Sequence, residues 1–345
     1  MGLHRITGRL VAFIFLLATI SLGSAQEKSP VPAHPSNSVE DRDQEPVRIF
    51  TQEVVLPIVA YDDYRHFDPA VELPDLLLLE DGVPQTVTSI RRAPTNVVVL
   101  IDMGTQLIFT QHLDTTRQIV MALLSHLGPE DQVILIQFTN HAEVLQDWTG
   151  DKAKVARALH RAHGKLLSGN LSRLSEGMIA AADKLKGKPA GTTHIVLITD
   201  GDDAPSSEVQ YTDAVRRLIT AQPALDVLSY TTFARQEAKR HRSNFSLDRE
   251  MRRFYKDYDK ALGLSEERLN ALTESLGGRI FLPKSIAEAL KGGDEIASDV
   301  GAQYVVTYAP KRPIESRTDA APRRVQVVSR RAGLQVHALR HSVIL

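Results

Sequence analysis

Cysteine is missing from all 345 residues, and tryptophan occurs once. The first absence removes disulfides, thiolate metal sites and cysteine nucleophiles from consideration. Charge of one sign is not in excess either, with 41 Lys and Arg against 42 Asp and Glu. Nothing in that balance would draw the chain to nucleic acid. Three catalytic signatures are also missing: a G-x-S-x-G elbow, a Walker A loop and an H-E-x-x-H helix. An apolar run long enough to cross a bilayer, which takes roughly 20 residues, is not found either.

One shorter apolar run is present. His4, Arg5 and Arg9 precede Leu10 to Ala18, and Gly23-Ser24-Ala25 follows with small residues where a signal peptidase reads. Residues 1–25 are therefore expected to be a signal peptide cleaved after Ala25. That places the chain in an exported compartment, periplasmic or extracellular, with no membrane span after cleavage. Cleavage would leave 39 basic side chains against 42 acidic ones, since only Arg5 and Arg9 are lost. Residues 26–46 are rich in Pro, Ser and Glu and read as a flexible tether.

From residue 47 to 93 the chain shows short extended runs broken by turns, including Glu80-Asp81-Gly82-Val83-Pro84. We read this as a β module. Strands and helices then alternate over residues 94–300, the pattern of βαβ units around a mostly parallel, doubly wound sheet. Strands are expected over Val97–Asp102, Gln132–Phe138, Thr193–Asp200, Ala224–Tyr230 and Arg279–Leu282, with an antiparallel edge at Ala142–Leu145. Expected helices include Thr115–Leu127, Leu174–Leu185, Ser265–Leu276 and Ser285–Asp299. Residues 301–345 return to β and are expected to pack with the N-terminal module as an accessory β-sandwich.

Two strand ends stand out. Val97 to Asp102 and His194 to Asp200 are continuous apolar runs, each finishing on an aspartate before a glycine-bearing loop. In an open parallel α/β sheet, ligands gather beyond the carboxyl ends of the strands. These residues resemble the von Willebrand factor type A fold. More narrowly, the chain is similar to the VWFA-related family abundant in exported proteins of Acidobacteria. That similarity rests on Glu80-Asp81-Gly82-Val83-Pro84-Gln85, on Leu276-Gly277-Gly278-Arg279-Ile280-Phe281 and on Tyr304-Val305-Val306-Thr307-Tyr308.

The resemblance implies a site at which D-x-S-x-S, a Thr and a second Asp hold a divalent ion. Here Asp102 stands first, but Gly104 and Gln106 replace the two serines. Ser172 is the match to the threonine and Asp200 to the second aspartate, with Asp202 and Asp203 just behind it. A hard cation needs its oxygen shell completed. The expectation is therefore no resident metal, with Asp102 and Asp200 organising loops by accepting backbone N–H bonds. Any weak Mg²⁺ or Mn²⁺ would use Asp102, Ser172 and Asp200.

Three further features carry less specific signals. His160 and His163 share a helix face with Arg157 and Arg161 near them, which reads as a solvated face. Residues 233–262 form a charged insert in which Met251, Phe254, Tyr255, Tyr258 and Leu262 recur at helical spacing. Following a strand end, it should rise on the same side of the sheet as Asp102 and Asp200. Lys311 to Leu345 carries eight Lys or Arg against Glu315 and Asp319, the wet face of a hairpin.

The expected role is an exported, non-enzymatic interaction protein that binds a protein or cell-envelope component. Its binding face would be lined by Asp102, Gln106, Ser172 and Asp200, with Phe254, Tyr255 and Tyr258 as aromatic anchors. Mg²⁺- or Mn²⁺-dependent adhesion and metal-assisted hydrolysis by Asp102 and Asp200 are the alternatives.

Overall fold

The computed structural model describes residues 53–64, 66–92, 94–104, 109–162, 172–189, 192–201, 203, 208–243, 248–312, 322–340 and 342–343. The expected signal peptide and tether, Gln106, His163 and Asp202 lie outside the described residues. Among the described residues no helix is long and apolar enough to cross a membrane.

The chain opens with strands β1 (Val54–Asp62), β2 (Leu76–Glu80) and β3 (Val83–Arg91). The alternating part follows as β4 (Asn96–Asp102), α1 (Phe109–His126), β5 (Gln132–Phe138), β6 (Ala142–Thr149), α2 (Lys152–Arg161), α3 (Leu174–Lys184) and β7 (Thr193–Thr199). It continues as α4 (Glu208–Ala221), β8 (Ala224–Ser229), α5 (Thr231–Arg242), α6 (Arg249–Leu276), β9 (Ile280–Phe281) and α7 (Ile286–Gly301). The last strands are β10 (Gln303–Ala309), β11 (Arg323–Ser329), β12 (Leu334–Ala338) and β13 (Ser342–Val343).

The central sheet has six strands in the order β6-β5-β4-β7-β8-β9, parallel except for the edge strand β6. Strands β4 and β7 are buried along their whole length, as their unbroken apolar runs require. One face packs on α1 and α7 through Ile119, Leu123, Ile296 and Val300; the other meets Met178, Leu218 and Leu272. Each fully buried Val, Ile or Leu contributes about 1.5–3 kcal/mol, so this layered core dominates the stability of the α/β part.

Strands from the two chain ends join into one antiparallel sheet in the order β12-β1-β10-β3-β2-β11-β13, curled into a near-barrel. The Glu80-to-Gln85 motif is one of its corners. Asp81 and Gly82, with φ of 49° and 80°, form a two-residue hairpin loop between β2 and β3, the geometry of a type I′ turn. Glu80, buried at the turn, accepts from Tyr308 Oη at 2.8 Å and from Arg323 Nη1 at 2.9 Å. Asp81 accepts from the Arg324 backbone, and Gln85 from the Lys311 backbone. Burial beside the Glu80 carboxylate pushes the Tyr308 hydroxyl pKa upward. The motif therefore locks β2, β10 and β11 together. Arg323, counted with the wet basic strip in the sequence, is buried in this cluster, and Arg331 pairs with Asp68 and Asp75.

The Gly277-Gly278 pair has a comparable structural explanation. Both residues have positive φ, 73° and 119°. A Cβ at Gly277 would stand 2.0 Å from Leu339 O, and one at Gly278 would stand 2.1 Å from Leu225 O. Only glycine lets α6 end here and the chain pass between two backbones.

The charged insert differs in form from its sequence reading. It folds as two packed helices, α5 and the first half of α6, and α6 runs unbroken for 28 residues from its Asp248 cap. The insert over 233–262 and the helix expected over Ser265–Leu276 are thus joined through Gly263. The apolar residues keep helical phase across them, from Leu262 to Leu269, Leu272 and Leu276. That burial outweighs the cost of about 1 kcal/mol for an interior glycine. Helix α5 escaped detection because its buried face is only Thr231, Ala234 and Ala238. His160 lies on an exposed helix face, as expected.

A buried polar chain connects the near-barrel to the α/β sheet. Gln303 Nε2, at the start of β10, donates to His194 Nδ1 at 2.6 Å. His194 Nε2–H donates to Asp226 Oδ2 at 3.0 Å, and the Arg279 backbone N–H donates to Asp226 Oδ1 at 2.7 Å. The acceptor role of Nδ1 assigns His194 the neutral Nε2–H tautomer. His194→Leu takes from the buried Asp226 one of its two donors, and leaving a buried acceptor unsatisfied costs about 1–3 kcal/mol. Urea denaturation should register a loss of about 2 kcal/mol; a change under about 0.5 kcal/mol would show that the chain carries no such tie.

Candidate functional site

Parallel register sets the level of the two acidic strand ends. Ile101 lies beside Ile198, so Asp102 comes opposite Thr199, with Asp200 one residue beyond. Thr199 Oγ1 donates to Asp102 Oδ2 at 2.7 Å. On the other side, Asp102 pairs with Phe138 of β5, and Thr139 O, one residue later, accepts the Arg173 backbone N–H. That bond draws the start of α3 over the sheet end. Ser172 Oγ then donates to the same Asp102 Oδ2 at 2.8 Å, while Gly104 N–H donates to Oδ1 at 2.9 Å. One carboxylate thus receives three donors from three loops.

Asp203 completes the fastening from the β7 side. Its carboxylate accepts the Ser175 backbone N–H at 3.2 Å and the Ser175 hydroxyl at 2.7 Å, and its backbone bridges to Arg173. Helix α3 has no side-chain cap of its own at Arg173, so Asp203 supplies one from a different loop. Thr199, Ser175 and Asp203 were not given roles by sequence reading. The visible signal was a hydroxyl residue directly before Asp200 and the carboxylates just after it.

Gly104 explains how close these loops come. A Cβ there would sit 2.5 Å from Ser172 Cα and 2.7 Å from Ser172 Cβ. The place that a serine would need at this position is filled by Ser172 itself. Gly104 also offers no side-chain oxygen.

Of the residues expected to line the face, the structure brings Asp102, Ser172 and Asp200 together, each with 0% exposure. They sit beneath the rim rather than on it. The aromatic residues are on α6: Phe254 is 57% exposed, Tyr255 is half-buried and stacked on His241 at 4.8 Å, and Tyr258 is half-buried against the core. Among the described residues no cluster of three His, Asp or Glu is arranged to hold a metal ion.

Burial, reinforced by the charge of Asp200, raises the Asp102 carboxyl well above the usual carboxylate range, against the pull of the Thr199, Gly104 and Ser172 donors. An unfolded aspartate titrates near pH 4, at about 3.9. Between that value and the raised one the folded state holds the extra proton, so stability falls as pH climbs through this window. Asp200→Asn removes the like charge. It should raise the urea midpoint relative to the parent at pH 8 and leave it near the parent at pH 4; equal shifts at both would exclude the charge as cause. Gly104→Ser should lower stability by about 1–3 kcal/mol through overpacking against Ser172. An unchanged or raised melting temperature would mean the loops have room to part.

Residues 97–203 match the von Willebrand factor type A domain family. No curated protein matches the chain. Among solved structures it is similar to a von Willebrand factor type A protein from Catenulispora acidiphila, at 11% identity over 83% of this chain and 71% of that one, TM-score 0.46. It is also similar to the conserved hypothetical protein BatB from Bacteroides thetaiotaomicron, at 19% identity over 39% of this chain and 66% of that one, TM-score 0.34. A third is the PilB minor pilin from Streptococcus sanguinis, at 10% identity over 61% and 63% of the two chains, TM-score 0.42. The chain thus spans just under two thirds of the length of the latter two. Residues 97–203 of this chain are therefore similar to the von Willebrand factor type A domain family, and the order of the central sheet accords with that match.

Proposed function

We propose that this is an exported, non-enzymatic interaction protein that binds a protein or cell-envelope partner through the loops at the carboxyl ends of β4, β5, β7 and β8, without a resident metal ion. The observation carrying this reading is the commitment of both Asp102 oxygens to Gly104, Ser172 and Thr199. A serine at position 104 and a hydroxyl free to coordinate are what the ion site of this fold would need. Here the first is replaced by a glycine packed on Ser172, which removes one oxygen ligand, while the Ser172 hydroxyl gives its proton to the carboxylate and keeps its lone pairs. Among the described residues the oxygen shell that a divalent ion needs is therefore incomplete.

In this reading Asp102 and Asp200 act from below, setting the shape of the loops that a partner meets. Ser172 belongs to the same buried hub, and Phe254 is the exposed anchor beside Tyr255 and Tyr258. Aromatic anchors commonly dominate such surfaces. The N-terminal apolar run and Gly23-Ser24-Ala25 support export. The Glu80–Gln85 and Gly277-Gly278-Arg279 motifs support placement in the VWFA-related family abundant in Acidobacteria.

One observation favours a cation instead: two buried carboxylates repel each other, and a divalent ion would relieve that. Thermal unfolding with millimolar Mg²⁺ or Mn²⁺, beside partner capture with and without chelator, separates the two readings. We expect no rise in melting temperature and chelator-independent capture that weakens in Phe254→Ala. A metal-dependent rise that disappears in Asp102→Ala, through mass-action stabilisation of the folded form, would replace this reading with cation-dependent adhesion.

A further inference from the structure

The helical hairpin of α5 and α6 carries a pattern that the loop-binding reading does not use. Residues 235–260 hold nine Lys or Arg against five Asp or Glu, in a chain whose overall balance is −1. On α6, Arg249, Arg253, Lys256 and Lys260 recur at four- and three-residue spacing, so they share one helix face. Tyr255 and Leu262 fall on the opposite side, and Asp259 on the flank between. There Tyr255 stacks on His241, Asp259 pairs with Arg235 at 3.0 Å, and Leu262 enters the core. The basic stripe therefore faces away from α5.

All four cations are exposed. Arg249, Lys256 and Lys260 have no ion-pair partner among the described residues, and Arg253 has only a 3.8 Å contact with exposed Asp257. No residue of α6 before Leu262 is fully buried, and Met251 and Phe254, 39% and 57% exposed, lie on the other side of the helix from the stripe. Eleven residues of helix place the four charges along about 16 Å.

We propose that the basic face of α6 docks on the headgroups of an anionic phospholipid surface. A single helix face offers long basic side chains along a convex ridge. An acidic peptide would need a groove or paired pockets to be held in register. A flat, fluid array of anionic headgroups needs only the row of cations, each adding to the attraction. This inference is independent of the loop-binding reading and of export.

The test is sedimentation of the full chain with vesicles of phosphatidylcholine alone or containing about 30% phosphatidylglycerol, a fraction chosen to give a clearly negative surface. Partitioning should require the anionic lipid and weaken as salt is raised. The triple reversal R249E, R253E and K256E should lower it by at least about 100-fold. The reversal K154E, R157E and K186E, which changes net charge equally at other exposed sites, should leave it within a few-fold of the parent. Circular dichroism melts of each variant matching the parent would exclude misfolding as the cause. Equal binding to neutral vesicles, or equal losses from both triple variants, would overturn the proposal. So would tighter binding to polyglutamate than to vesicles at matched charge, which would point to an acidic polypeptide.

Discussion

The Asp102 carboxylate is where three loops become one surface. It ends a strand buried on both sides, and its two oxygens receive a backbone N–H from its own loop, a hydroxyl from the neighbouring strand and a hydroxyl from the start of α3. A buried carboxylate is costly unless its lone pairs are taken, so the loops cannot separate without exposing that cost. Gly104 allows the approach and Asp203 secures it from the far side. The same arrangement brings Asp200 close enough for its charge to raise the Asp102 pKa. Order at the rim and electrostatic tension beneath it therefore have one origin.

The rest of the molecule holds that rim at the end of a stiff platform. Strands β4 and β7 are wholly buried, and the near-barrel is fastened at the opposite strand ends by the Gln303–His194–Asp226 chain. Two motifs that stood out in the sequence prove to be joints of this platform: the type I′ corner after Glu80 and the paired glycines after α6. Each permits a backbone path that other residues would block. The rim face itself is built from loops and from the hairpin of α5 and α6, where the exposed charge and aromatic surface lie.

Much of the architecture could be read in advance because burial leaves a mark on short segments. Continuous apolar runs marked the parallel strands, and helical periodicity marked most helices. Helix α5 left no such mark, since small residues bury it. The break expected near Gly263 was absent because side chains on either side share one buried stripe. At the site, Asp102, Ser172 and Asp200 were picked out together, and the structure does gather them. Thr199 and Asp203 were overlooked because their roles depend on partners 97 and 28 residues away in the chain.

By itself the sequence determined the alternating α/β order, the two acidic strand ends and the loss of serine at position 104, all properties of local pattern and residue identity. Only the tertiary structure decided that Ser172 would fill the space beside Gly104, that the acids would lie beneath the rim rather than on it, and that the charged insert would fold back as a hairpin. Those outcomes follow from which distant segments pack within hydrogen-bonding or van der Waals reach. Such distances are set by parallel register and helix packing, and no single segment encodes them.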